Sequence, residues 1–143
     1  MPTRKADAEW QGNLQQGNGK MRVGSGAFEV SFSYKSRFGD ETVGTNPEEL
    51  IGAAHAGCFS MAFSNALANA GFTPTSVHTT ALVHFGQVPG GVGITSIDLE
   101  SEGVVPGVDE ETFQRLASNA KENCPVSKAL ASTPINLKAT LLK

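Results

Sequence analysis

Polar and apolar positions divide the chain into three kinds of pattern. Over residues 6–37 they alternate around glycines, as in "AEWQGNLQQGNGK" and "FEVSFSY", where Phe28, Val30, Phe32 and Tyr34 recur every second residue. That periodicity predicts an N-terminal antiparallel meander, with "GNG" at 17–19 as a hairpin signal. The loop "RFGDETVGTN" is expected to follow. Residues 50–70 are instead apolar or small on nearly every face. Asn46 can cap this stretch, Pro47 suits the first helical position, and Glu48 and Glu49 complement the positive end of the helix dipole. Gly71 is a natural stop, so one helix is predicted from Pro47 to about Ala70. Alternation returns in "SVHTTALVHFGQV", the turn "PGGVG" and "ITSIDLESEGVV", which read as two or three antiparallel strands. Asp109 opens a second helix to about Asn123, Cys124-Pro125 interrupts it, a short helix reaches Leu130, and "INLKATLLK" closes the chain as a strand. The order predicts a single α+β domain over residues 1–143 with a largely antiparallel sheet.

The first helix sets a packing problem. At 1.5 Å per residue it spans ~36 Å, and a helix apolar on most faces must be surrounded rather than laid on a surface. One small domain has difficulty surrounding it. Gly52, Ala53, Ala54, Ala56 and Gly57 allow another helix to approach closely, so a second copy of the chain is the natural neighbour and a homodimer is expected.

Composition narrows the remaining choices. The 143 residues, 39% hydrophobic, suffice for a core, and a net charge of -3 with no Lys/Arg-rich run gives no general attraction to nucleic acid. The start "MPTRKADAEW" reaches Asp7 and Glu9 without an apolar run, unlike a secretory signal. His55, Ser60, Ser64, Asn65 and Asn69 mark the apolar segment as a buried helix rather than a membrane span. A cytoplasmic location is expected, where a permanent structural disulfide is disfavoured. Two cysteines, Cys58 and Cys124, stand 66 positions apart. They are either inert core residues or redox-active ones. Cys124, at a helix exit before Pro125, is placed to cap the next turn, where backbone N–H groups stabilise a thiolate. Cys58 falls mid-helix, where apolar surroundings raise a thiol's pKa, so reactivity there requires a nearby cation. His55 lies three positions earlier on the same face and is either an activating partner or a satisfied core histidine. His78 and His84 fall on predicted strands, and the cysteines and histidines lack zinc-site spacing, so no metal is expected.

The string "TNPEELIGAAHAGCFSMAF", together with "CPVS", resembles the OsmC/Ohr family of osmotically inducible and organic hydroperoxide resistance proteins, in particular its OsmC branch. "EWQGNLQQGNGK", "AGFTPTS" and "VPGVDEETF" extend the likeness over most of the chain. The resemblance implies an OsmC-like fold, antiparallel sheets wrapped around a long central helix in an intertwined homodimer. It also implies a thiol-dependent peroxidase that reduces organic hydroperoxides to alcohols without metal or haem. By position, Cys58 resembles the peroxidatic cysteine and Cys124 the resolving one, joined by an intramolecular disulfide during turnover. Arg37 and Glu48 match the family's charged pair beside the reactive sulfur. The resemblance further implies recycling by an external dithiol reductant, of lipoyl type on a partner protein.

Helix geometry adds one expectation. Glu48 and Cys58 are ten residues apart on one helix, ~15 Å along its axis, beyond a glutamate's reach. If both serve one site, Glu48 of one subunit must stand beside Cys58 of the other, with active sites shared across the interface. Phe38, Phe59 and Met61 are candidates to line a pocket for an organic tail, with Phe63 as a further apolar neighbour, and Phe38 is the better placed beside Arg37. Two other readings stand beside the peroxidase: a Cys–His hydrolase or acyl transferase using Cys58 and His55, and a non-enzymatic dimeric stress protein.

Overall fold

Residues 1–40 and 43–143 are described by the computed structural model. Two positions of the predicted loop, 41 and 42, lie outside the described residues. The chain divides into two units, Met1–Leu50 and Ile51–Lys143.

The first unit holds the predicted meander, β1 (Ala6–Gln11), β2 (Asn18–Val23) and β3 (Glu29–Phe32), antiparallel and in that order. The β1–β2 turn differs from expectation. Asn18 and Gly19 belong to β2, opposite Gln11 and Trp10, and the loop runs over 12–17. The Asn13 side chain closes that loop by accepting from the Gln16 amide (2.8 Å), while its carbonyl accepts from the Trp10 indole N–H (3.2 Å). Gly19 serves a close approach rather than a turn. A Cβ there would come within 2.6 Å of the Phe32 ring and 2.7 Å of the Glu9 carbonyl. After β3 the chain does not pass directly into a loop, because Ser33 and Ser36 form a reciprocal cap (Ser36 N–H to Ser33 Oγ, 3.1 Å; Ser33 N–H to Ser36 Oγ, 2.8 Å). This starts the short helix α1 (Tyr34–Phe38), which carries Arg37 and Phe38. Ser36 also donates to the Thr45 carbonyl (2.7 Å).

The long helix α2 (Pro47–Asn69) forms as predicted. Asn46 Oδ1 accepts from the Glu49 amide at 2.7 Å. At the other end Gly71 adopts φ +96°, the Gly71 amide donates to Ala68 and the Phe72 amide to Leu67, a Schellman closure. In the second unit β4 (Ser76–Val88) and β5 (Gly91–Val104) form a long antiparallel hairpin turned at Pro89 and Gly90. α3 (Glu110–Asn123) and α4 (Pro125–Ala129) then carry the chain back, so β6 (Ile135–Leu142) joins β5 in parallel and the sheet is mixed, in the order β4-β5-β6.

The core lies where α2 and α3 meet β5. Phe59, Phe63, Leu67, Ile97, Leu99 and Phe113 are fully buried. Phe63 packs against Phe59 (5.6 Å between ring centroids) and Phe113 (5.0 Å). Gly103 makes room for the last ring, since a Cβ there would stand 2.9 Å from it. α2 buries a single stripe, Gly52, His55, Phe59, Phe63 and Leu67, while Ala53, Ala54, Gly57, Met61, Asn65 and Ala68 are exposed on the opposite side. Only 28% of its most apolar window is buried within the chain. The expectation that this helix be surrounded is therefore met on one side only. Although α2 has the length and hydropathy of a membrane span, its buried stripe belongs to a core shared with a sheet.

Replacing Phe113 by Ala removes the ring that fills the space over Gly103. Unfolding followed in urea is expected to show a loss of about 3–5 kcal/mol, as for other large-to-Ala core changes. A loss below about 1 kcal/mol would mean the cluster does not carry the core.

Candidate active site

The two cysteines, remote in sequence, meet where the middle of α2 faces the start of α4. Cys58 is half-buried and Cys124 fully buried, and both are free thiols. Their sulfurs are hydrogen-bonded to each other, with Cys58 S–H donating to Cys124 Sγ. Burial pushes the Cys58 thiol up, and the hydrogen bond and charge of Cys124 push it further, against a smaller opposing contribution from the Val126 amide. Cys124 moves the other way. Burial alone would raise it, but the Cys58 thiol, the amide and hydroxyl of Ser127 and the Val126 amide together bring it below the ordinary thiol value. Cys124 is the N-cap of α4 with Pro125 behind it, as predicted, although its side chain does not close a standard capping bond. Within one chain, then, Cys124 is made the stronger acid of the two thiols and Cys58 the weaker.

His55 does not activate Cys58. Its Nε2 lies 2.7 Å from Ser127 Oγ, and its Nδ1 has no hydrogen-bond partner among the described residues. Burial pushes the ring's pKa down, which keeps it neutral. The Cys–His pairing required by the hydrolase reading is thus not formed. Ser127, which touches both His55 and Cys124, was not singled out from sequence. Its position three residues after an N-cap cysteine, inside "CPVS", is the signal that could have found it.

The other two predicted residues, Arg37 and Glu48, form a bidentate pair. Arg37 Nε donates to Glu48 Oε1 (3.0 Å) and Nη2 to Oε2 (2.8 Å). α1 presents the arginine and the first turn of α2 the nearly buried carboxylate, so the fork is held flat and fixed. The guanidinium also lies over the Phe38 ring, 5.2 Å from its centroid. A cavity of about 430 Å³ opens beside it, lined by Trp10, Leu14, Phe32, Tyr34, Arg37 and Phe38 among others. Phe38 lines this cavity beside Arg37, and Trp10, Leu14 and Tyr34 are lining residues that alternation in the N-terminal segment did not reveal as such. Phe59 corrects the expectation: it is wholly buried against Phe63 in the core. Met61 is exposed and borders a shallow groove with Ser64, Asn65 and Pro74, a groove that does not include Cys58. Among the described residues no group of His, Cys, Asp and Glu is placed to hold a metal ion.

A family model described as OsmC-like protein matches residues 38–139. The chain belongs to the OsmC-like family. Over 128 residues, 89% of each chain, it is 49% identical to the peroxiredoxin OsmC of Escherichia coli K12. It is 38% identical over 99 residues to an organic hydroperoxide resistance protein of Xanthomonas axonopodis pv. citri, covering 68% of this chain and 66% of that one. The crystal structure of an organic hydroperoxide resistance protein from Elizabethkingia anophelis superposes with a TM-score of 0.79 at 30% identity, over 99% of this chain and 96% of that one. The OsmC-like fold expected from the sequence is therefore present, with a mixed rather than largely antiparallel second sheet.

Because Cys124 raises the Cys58 thiol, Cys124→Ala is expected to lower the pH at which Cys58 ionises, and Cys58→Ala to raise that of Cys124. Thiolate absorbance at 240 nm across a pH series reads both. Shifts of the opposite sign would reverse the donor and acceptor in this pair.

Proposed function

We propose that this protein is a thiol-dependent peroxidase that reduces organic hydroperoxides to alcohols, with Cys58 as the peroxidatic and Cys124 as the resolving cysteine. The observation that carries the reading is the hydrogen bond between two free thiols, in a chain related to a peroxiredoxin and to organic hydroperoxide resistance proteins. A catalytic cycle through a disulfide needs such neighbours.

The chain's own residues leave Cys58 the weaker acid, so its activation calls for a cation. Arg37 is the proposed source. Ten residues along α2 amount to ~15 Å, which supports the reading that the Arg37–Glu48 pair beside Cys58 comes from a partner subunit. The exposed stripe of small residues on α2 suits the close helix approach that such a homodimer requires. With the guanidinium adjacent, the shared proton passes to Cys124 and the thiolate to Cys58. Cys58 Sγ then attacks the outer peroxide oxygen. The S–O bond forms as the O–O bond breaks, and the alkoxide leaves beside Arg37 and takes up a proton to become the alcohol. The Cys58 sulfenic acid condenses with Cys124, releasing water and giving the disulfide before further oxidation. A dithiol reductant, of lipoyl type on a partner protein, restores the thiols by exchange. The apolar cavity beside Arg37 favours hydroperoxides bearing an alkyl or aryl group over hydrogen peroxide.

Steady-state reduction of cumene hydroperoxide with a dithiol separates the readings. Cys58→Ser is expected to abolish turnover. Arg37→Met is expected to lower kcat about 10²–10³-fold, the usual cost of losing a fixed donor to a developing anion. Turnover by Cys58→Ser near that of the wild type, or a preference for hydrogen peroxide, would contradict this function. Esterase activity that survives Cys124→Ser would favour the hydrolase instead.

A further inference from the structure

The peroxidase chemistry uses both sulfurs and leaves one fully buried titratable side chain, His55, without a task. Its surroundings are unusual. Nε2 meets Ser127 Oγ at 2.7 Å, Nδ1 is buried without a partner among the described residues, and Ser127 is itself buried, three residues after Cys124 on the first turn of α4. The orphan nitrogen decides the tautomer. An unpaired buried N–H is costlier and rarer than an unpaired lone pair, so the proton sits on Nε2 and Nδ1 keeps the lone pair. His55 therefore donates to Ser127 Oγ. A hydroxyl has one proton to give, and with its oxygen accepting from the imidazole, Ser127 directs that proton to the Cys124 sulfur, a bond that helps hold the thiol below its ordinary value. A leucine would fill the place of His55 without burying an orphan nitrogen. A polar group kept in a core at such a cost points to a task in the site.

We propose that His55 and Ser127 form a fixed relay, Nε2–H to Oγ and O–H to Sγ, that readies Cys124 as the resolving nucleophile. Both are positioning residues, since neither reaches the peroxide-bearing sulfur. The relay's purpose rests on the peroxidase reading. In the step it serves, Cys124 S⁻ attacks the sulfur of the Cys58 sulfenic acid. The S–S bond forms, the Cys58 S–O bond breaks, and the departing hydroxide takes a proton to become water. Cys124 is oxidised as the sulfenic sulfur is reduced, and no further oxidant or reductant enters. By favouring the Cys124 thiolate once Cys58 has been oxidised, and by aiming it at Cys58, the relay speeds closure relative to over-oxidation. Of the titratable groups nearby, Cys58 faces Cys124 from α2, while Lys121, Glu122 and Lys128 flank it on α3 and α4, with Glu122 and Lys128 exposed.

Two measurements on the full chain test this. In a Cys58→Ser background, where 240 nm absorbance reports Cys124 alone, adding S127A is expected to move the thiolate midpoint upward and adding S127T to restore it. With Cys58 present, stopped-flow disulfide closure after one equivalent of cumene hydroperoxide is expected to slow about tenfold in S127A, the loss of one hydrogen bond to a charged group. More sulfinic acid should then accumulate at Cys58, and S127T should recover the rate. H55Q, whose amide can still donate to Ser127, should close near the wild-type rate and H55L more slowly, a comparison that stands if S127A does not fold. An unmoved midpoint in S127A, or S127T behaving as S127A, would overturn the relay while wild-type closure leaves the peroxidase reading intact. A shifted midpoint in a wild-type protein that forms no disulfide would uphold the hydrogen bonds and refute the peroxidase.

Discussion

The hydrogen bond between the Cys58 and Cys124 sulfurs is the interaction on which the rest of the site depends. It joins residues 66 positions apart and exists because the aromatic core fixes α2 and α3 against the sheet, so that α3 delivers its own C-cap to the middle of α2. Pro125 then ends one helix and begins the next at that cysteine. The Val126 and Ser127 amides are brought to the sulfurs by the same break. A continuous helix through residue 124 would have tied those amides to carbonyls one turn earlier and left the thiol without them.

The second half of the proposed chemistry is built by different means. Arg37 and Glu48 lie eleven residues apart, on a capped turn and the helix start that follows it, so near-local structure forms their fork. A carboxylate holds this arginine flat, and the Phe38 ring and an apolar cavity lie beside it. In the proposed peroxidase such a group would serve a developing alkoxide better than a mobile surface lysine, because little reorganisation would remain at the moment of reaction. The thiol pair, by contrast, has donors but no cation of its own among the groups that shift it. The proposed dimer supplies to each half what the other lacks.

Much of this was legible before any coordinates. Asn46, Pro47 and Gly71 announced both ends of α2 through local capping chemistry, and Asp109 the start of α3. Such signals depend on a few neighbouring residues. Where tertiary contacts decide, the sequence pattern ran out. "GNG" promised a turn, but Gly19 was needed to let the Phe32 ring lie across β2. Phe59 and Met61 sit two residues apart on one helix, and only the packed structure sends the first to the core and the second to the surface. Ser127 and the unpaired nitrogen of His55 were invisible for the same reason, since their partners lie 72 residues apart. The parallel pairing of β6 followed from a crossover whose direction no strand periodicity records.

Two hydrogen-bonded sulfurs, one a stronger acid than the other, should close on each other as soon as either is oxidised. The most direct test is peptide mapping, without reduction, of the full-length protein after one equivalent of an organic hydroperoxide. The account predicts a single cross-linked peptide joining Cys58 to Cys124 within one chain and an intact mass lower by two hydrogens. A protein that instead retained both free thiols, or linked Cys58 only to other chains, would contradict it.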